Sequence, residues 1–197
     1  MGEITAAAVA ALREMTGAGM MDAKKALVES AGDVEKAADF LRKNGIIKAG
    51  KKAERATNEG RVHAYIHSNA KVGVLVEVLC ETDFVARNEA FVGLCNDLAM
   101  HIAASAPLYV SRTEVPLEMV EKEKEIYQAE VDGAKSAEIV GKIVEGKVNK
   151  FFADVCLLEQ PFIKDEDKTV EEVVKEKIAT LGENIQVRRF SRLNLGA

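Results

Sequence analysis

The chain has 197 residues and a formal net charge of -5, with 30% of its residues charged, so it is long enough for one ordinary domain plus a small one. The acidic balance argues against direct nucleic-acid binding, because holding phosphates needs a basic footprint, and no apolar run is long enough to span a membrane. The start, Met1-Gly2-Glu3-Ile4-Thr5, lacks the basic and apolar segments of a secretory signal, and Cys80, Cys95 and Cys156 show no CxxC or zinc spacing, so they read as reduced, buried thiols of a cytoplasmic protein.

Residues 4–43 read as three short helices. The first carries Ile4, Ala8, Val9, Leu12 and Met15 at helical spacing, until Thr16-Gly17-Ala18-Gly19 breaks it. The second has Met20, Ala23 and Leu27 on one face and stops at Ala31-Gly32. Asp33 is a suitable N-cap for the third, whose stripe is Val34, Ala37, Ala38 and Leu41, with Gly45 as the expected C-cap. So short a bundle has a marginal core and suits a binding role. Met20 and Met21 after a glycine turn are flexible, polarizable side chains fit for an adaptable contact surface; Met20 also falls on the apolar stripe, which is the position of a core residue. Residues 46–60 are basic and aperiodic. With Lys48, Lys51, Lys52 and Arg55 they read as a solvated, partly helical connector.

Residues 61–67 alternate, with Val62, Ala64 and Ile66 on one side, and 72–80 return as a β-branched strand; together they predict a hairpin. The second strand is apolar on both faces, which predicts a central place under helices. Cys80-Glu81-Thr82-Asp83-Phe84-Val85-Ala86-Arg87-Asn88 then makes a strand-to-helix turn fixed at both ends, the kind of place where a scaffold presents function. Exposed together, Asp83 and Phe84 would form a charged and aromatic plug for another molecule's pocket. The same residues also fit a plain structural role, with Phe84 capping the core and Asp83 capping the helix.

Asn88 can cap a helix bearing Phe91, Cys95, Leu98 and Ile102, ended before Pro107, and 111–116 read as a loop. Met119, Val120, Glu123, Ile126 and Tyr127 suggest the next helix. Ser136 opens another, with Ile139, Ile143, Val144, Val148, Phe151, Phe152 and Val155 inward and Gln160-Pro161 as its stop. Thr169-Val170-Glu171-Glu172 fits a capping box before Val174, Ile178 and Leu181, and Gly182 closes that helix. Residues 185–190 end the pattern as a strand, the third of the sheet. The fold class is α+β: a three-helix domain at 1–45, a linker at 46–60, and a core domain at 61–197 with a small antiparallel sheet packed with helices.

No catalytic set emerges. Gly141 and Gly146 lack the spacing of a phosphate loop, and His63, His67 and His101 form no metal-ligand pattern, so neither cofactor nor metal is expected. A thiol enzyme built on Cys80 would need an activating charge that its apolar strand does not offer. A chain of this kind acts by binding.

Gly17-Ala18-Gly19-Met20-Met21-Asp22-Ala23-Lys24-Lys25-Ala26-Leu27, with Gly32-Asp33 and Ala37-Ala38, resembles a ubiquitin-associated-type domain, and more closely the N-terminal domain of the elongation factor Ts family, the bacterial guanine-nucleotide exchange factors for elongation factor Tu. Glu81 to Asn88 resembles that family's contact motif. His101-Ile102-Ala103-Ala104-Ser105, Ile143-Val144-Glu145-Gly146-Lys147, Phe151, Gln160-Pro161-Phe162, Lys168-Thr169-Val170 and Arg188-Arg189 are similar to it in the same order. The resemblance covers essentially the whole chain. It implies that Thr82, Asp83, Phe84 and Val85 bind elongation factor Tu and dislocate its Mg²⁺, with Phe84 entering an apolar pocket, and that Met20, Met21 and Lys24 anchor the N-terminal module on the same partner. It implies the short form of the family, hence a homodimer supplying two cores. The competing reading is a ubiquitin-associated-type adaptor that does not drive exchange.

Overall fold

The computed structural model describes residues 4–131 and 137–196. Over these residues the chain is α+β, with helices and a three-stranded antiparallel sheet. It divides into two compact units. The first takes residues up to Val62 with Glu77–Cys95 and Glu172–Val187; the second takes His63–Val76, 96–171 and 188 onward.

The first unit begins with three helices. Helix α1 (Ala6–Thr16) starts at Thr5, whose side chain accepts the Ala8 N–H, and ends at Gly17 in the left-handed region, φ 67°. Helix α2 (Met20–Glu29) follows directly. Helix α3 (Val34–Gly50) is capped by Asp33, which accepts the Lys36 N–H; that bond, and the pairing with Lys36, hold the Asp33 carboxyl below its usual range. Val9, Leu12, Ala23, Ala26, Leu27 and Ala37 form the core of the bundle. Ile4, Ala8, Ala38 and Leu41 of the expected stripes pack against this core, whereas Met15, Met20 and Val34, also expected on them, are exposed. A further correction is that α3 does not stop at Gly45. A side chain at Gly45 would meet the Ala179 Cβ at 3.3 Å, so this glycine is a point of close helix approach rather than a cap. The expected connector is therefore helical to Gly50 and continues through turns to Arg55.

Strands β1 (Glu59–Ile66) and β2 (Val72–Cys80) form the hairpin, and β5 (Ile185–Asn194) lies on the other side of β2. Gly60, at φ 151°, passes so close to β2 that a Cβ there would sit 2.3 Å from the Val78 carbonyl oxygen. β2 is central, as expected, but covered on one face only. Val74, Val76, Val78 and Cys80 are buried, whereas Leu75 is exposed. Val62 and Ile66 of β1 are exposed too, so the apolar side of its alternation is an open one.

The second unit continues with α5 (Glu89–Ser105), which enters it from the first. Asn88 Oδ1 accepts the Ala90 N–H at the start of α5. Next come α6 (Leu117–Glu130) and α7 (Ala137–Val155); the expected start of α7, Ser136, lies outside the described residues. Val144, Val148 and Phe152 are buried with Val115 and Cys156, while Ile139, expected inward, is exposed. Arg112 makes two hydrogen bonds to the Glu159 carboxylate and lies over the Phe152 ring, 4.5 Å from its centroid. A short hairpin, β3 (Pro161–Phe162) with β4 (Asp165–Thr169), has no counterpart in the sequence reading. Helix α8 (Val170–Leu181) then runs into the first unit, where Gly182, φ 83°, closes it as expected and its N–H reaches the Ile178 carbonyl.

Candidate functional site

β2 ends at the buried Cys80, and one helical turn, α4 (Asp83–Ala86), follows it. A single turn has no stability of its own, since nucleating a helix fixes many dihedrals for one hydrogen bond. Neighbouring side chains supply the difference. Thr82 is extended, φ -128° and ψ 156°, and its hydroxyl oxygen accepts the Val85 N–H at 3.4 Å. The cap is thus Thr82, not Asp83. The Thr82 hydroxyl proton goes to Glu183 Oε1 at 2.6 Å, and Glu183 Oε2 accepts the Glu81 and Thr82 N–H groups at 3.1 and 3.0 Å. The Glu81 carboxylate in turn accepts the Asn184 N–H at 2.6 Å and lies 3.5 Å from Arg55. Asn184, only 1% exposed, donates its side-chain N–H groups to the Ala53 and Arg55 carbonyls.

On this held turn Phe84 is 85% exposed. It contributes nothing to the core, and the core-capping role open to it in the sequence is excluded. Asp83, half-buried, pairs with Arg87 at 3.0 Å, a surface ion pair of small worth. Val85 is half-buried.

Met20, Met21 and Lys24 occupy the first turns of α2 in the same unit. Met20 is 61% exposed and Met21 77%, so neither methionine is a core residue; Ala23 between them and Lys24 turns inward. Lys24 is exposed, and with Met20 it shares one helical face, four residues apart.

The cysteines are buried and free. Burial pushes Cys80 up to about 11, with the Glu183 carboxylate adding to it, and burial pushes Cys95 up to about 12 and Cys156 to about 11. All three are neutral thiols near pH 7, poor nucleophiles. His101 is fully buried. One ring nitrogen lies 2.9 Å from the Gln160 side-chain oxygen, the other accepts the Ile163 N–H at 3.2 Å, and burial depresses its pKa. Among the described residues no group of His, Cys, Asp and Glu is arranged to hold a metal ion.

Sequence reasoning singled out the turn but missed Glu183 and Asn184, which hold it. They stand 101 or more positions away in the chain, and directly after a glycine cap they read as an ordinary helix-to-strand junction. The only local signal was two polar residues placed at the mouth of a strand that begins buried.

A family model described as elongation factor TS matches residues 34–197. The chain is 59% identical over 194 residues to elongation factor Ts of Geobacter metallireducens, covering 98% of this chain and 90% of the relative. It is 56% identical over 197 residues to that of Desulforamulus reducens, covering 100% and 91%. With that of Acetivibrio thermocellus the figure is 57% over 194 residues, covering 98% and 90%.

Proposed function

The chain belongs to the elongation factor Ts family of translation elongation factors, and on that premise we propose that it is a guanine-nucleotide exchange factor for elongation factor Tu. It acts by binding rather than by a chemical step. The observation that carries this reading is the exposure of Phe84 on a turn whose backbone is pinned at Glu81 and Thr82. A ring left in water on a rigid support is available to another molecule's apolar pocket. Thr82 and Val85 set the turn, Asp83 offers polar contacts beside the ring, and Phe84 enters between helices of the GTPase, displacing the elements that support its Mg²⁺ and phosphate site.

An exchange factor must prefer the nucleotide-free partner to the loaded one, and the coupling is reciprocal, so whatever loosens GDP also lets nucleotide expel the factor. Burying one Phe contributes about 2 kcal/mol, too little to oppose tight nucleotide binding alone. The remainder comes from the wider interface, including the module at 1–45, a ubiquitin-associated-type domain anchored through Met20, Met21 and Lys24. Residues 46–60 link it to the core domain at 61–197. Two chains pair in the cytoplasm as a homodimer. In support, the second unit leaves apolar side chains open: Ile66, which lies across Gly73, and Leu75 and Leu193 are all exposed.

The test is release of a fluorescent GDP analogue from elongation factor Tu. The chain is expected to accelerate it at catalytic concentration; an unchanged rate overturns the proposal.

A further inference from the structure

We infer that Glu183 is a positioning residue for the Phe84 turn, setting the conformation in which the ring is offered to the partner; this rests on the exchange reading above. The inference comes from how one proton is used. The Thr82 hydroxyl has a single proton and it goes to Glu183 Oε1 at 2.6 Å. Its lone pairs are thereby turned towards the Val85 N–H, the contact that caps α4. The other Glu183 oxygen takes the two backbone N–H groups that precede the helix, from Glu81 and Thr82. One carboxylate therefore fixes both the extended entry to α4 and the cap that begins it.

Glu183 can do this because it is itself fixed. Gly182, in the left-handed region at φ 83°, turns the chain out of α8 just before it. Asn184, just after it, is anchored by its side chain to the Ala53 and Arg55 carbonyls and by its N–H to the Glu81 carboxylate. The two segments exchange bonds in both directions: the Glu81 side chain accepts from 184, and the Glu183 side chain accepts from 81 and 82. Charge-assisted hydrogen bonds of this kind are the stronger ones. Removing the carboxylate frees the turn to sample conformations in which Phe84 points elsewhere. The fraction of molecules competent to insert the ring falls, and the activity falls with it.

The experiment uses the full chain with Glu183→Ala and the milder Glu183→Gln, each alone and with Phe84→Ala. At saturating factor, Glu183→Ala is expected to slow GDP release from elongation factor Tu by about tenfold, and Glu183→Gln by less because it keeps one acceptor oxygen. Backbone amide exchange of Glu81 and Thr82 in the free chain is expected to accelerate, with that of Val78 in β2 unchanged. In the Phe84→Ala background, adding Glu183→Ala is expected to cost less than about twofold, because a residue that acts through the ring has nothing left to position. A full release rate from Glu183→Ala, an equal loss with and without Phe84, or unchanged protection of Glu81 and Thr82 each overturns the inference. If the unsubstituted chain itself fails to release GDP, it is the exchange reading that falls, and amide protection then decides the clamp by itself.

Discussion

Two phenylalanines at short turns, one on the turn and one at its edge, have opposite fates. Phe84 follows a strand, on a turn held by Glu183, and is 85% exposed. Phe162 ends β3, just before a turn held by His101 through the Ile163 N–H, and is 5% exposed, with its ring stacked against the imidazole at 6.0 Å between centroids. Both backbones are pinned by a distant polar side chain. The exposure of Phe84 is therefore not a sign of a loose loop. One pinned turn sends its ring into a core and the other sends its ring into water, and a ring held rigidly in water has work to do outside its own chain.

The largest effect is expected where the ring is buried. Phe162→Ala should lower unfolding stability by about 3 kcal/mol, read from urea denaturation, because it leaves a cavity against His101. Phe84→Ala should leave the urea midpoint where it is and slow partner-stimulated GDP release by roughly thirtyfold, the equivalent of one buried Phe. A stability loss in Phe84→Ala like that in Phe162→Ala would erase the contrast between the turns.

The pins can be separated by pH. Burial depresses the His101 pKa from its ordinary 6.5, so the unfolded chain takes up this proton at a higher pH than the folded one. Its stabilising share is complete above 6.5 and is lost as pH falls through the lower folded value. Protonation would also remove the acceptor that holds the Ile163 N–H. His101→Gln should flatten the dependence of stability on pH below 6.5, measured by denaturation at several pH values. Equal slopes for the two proteins would rule out His101 as the titrating group. The smallest effect is expected at Lys24→Ala, a change of about threefold in the dissociation constant for elongation factor Tu, since an exposed charge contributes little. A loss as large as that of Phe84→Ala would make the N-terminal module an equal partner of the turn.

Much of this was legible in the sequence, because periodicity reports burial. The helical stripes, the Asp33 cap, the Gly182 stop and the central place of β2 all come from local pattern. Phe84 was legible as a candidate only, since a strand-to-helix turn with an aromatic residue is equally consistent with a buried ring. Three features were not legible. Gly45 looks like a helix end unless one knows that Ala179 packs against it. β4 is Asp165-Glu166-Asp167-Lys168-Thr169, charged at four of its five positions, and pairs with two residues only, so it carries no period-two signal. The Glu183 clamp joins segments that propensity treats as independent. Local pattern locates elements, whereas contacts across the chain decide which way a side chain on a turn will face.

The near collision at Gly60 sets the alignment of the hairpin. Sliding β1 by one residue along β2 would bring Glu59 or Arg61 to a spot where a Cβ would press into the Val78 carbonyl, 2.3 Å away. The missing side chain works as a notch that engages at one setting. The notch lies against Val78 and Leu79, so it keys the hairpin at the end of β2 that leads through Cys80 to the exposed ring.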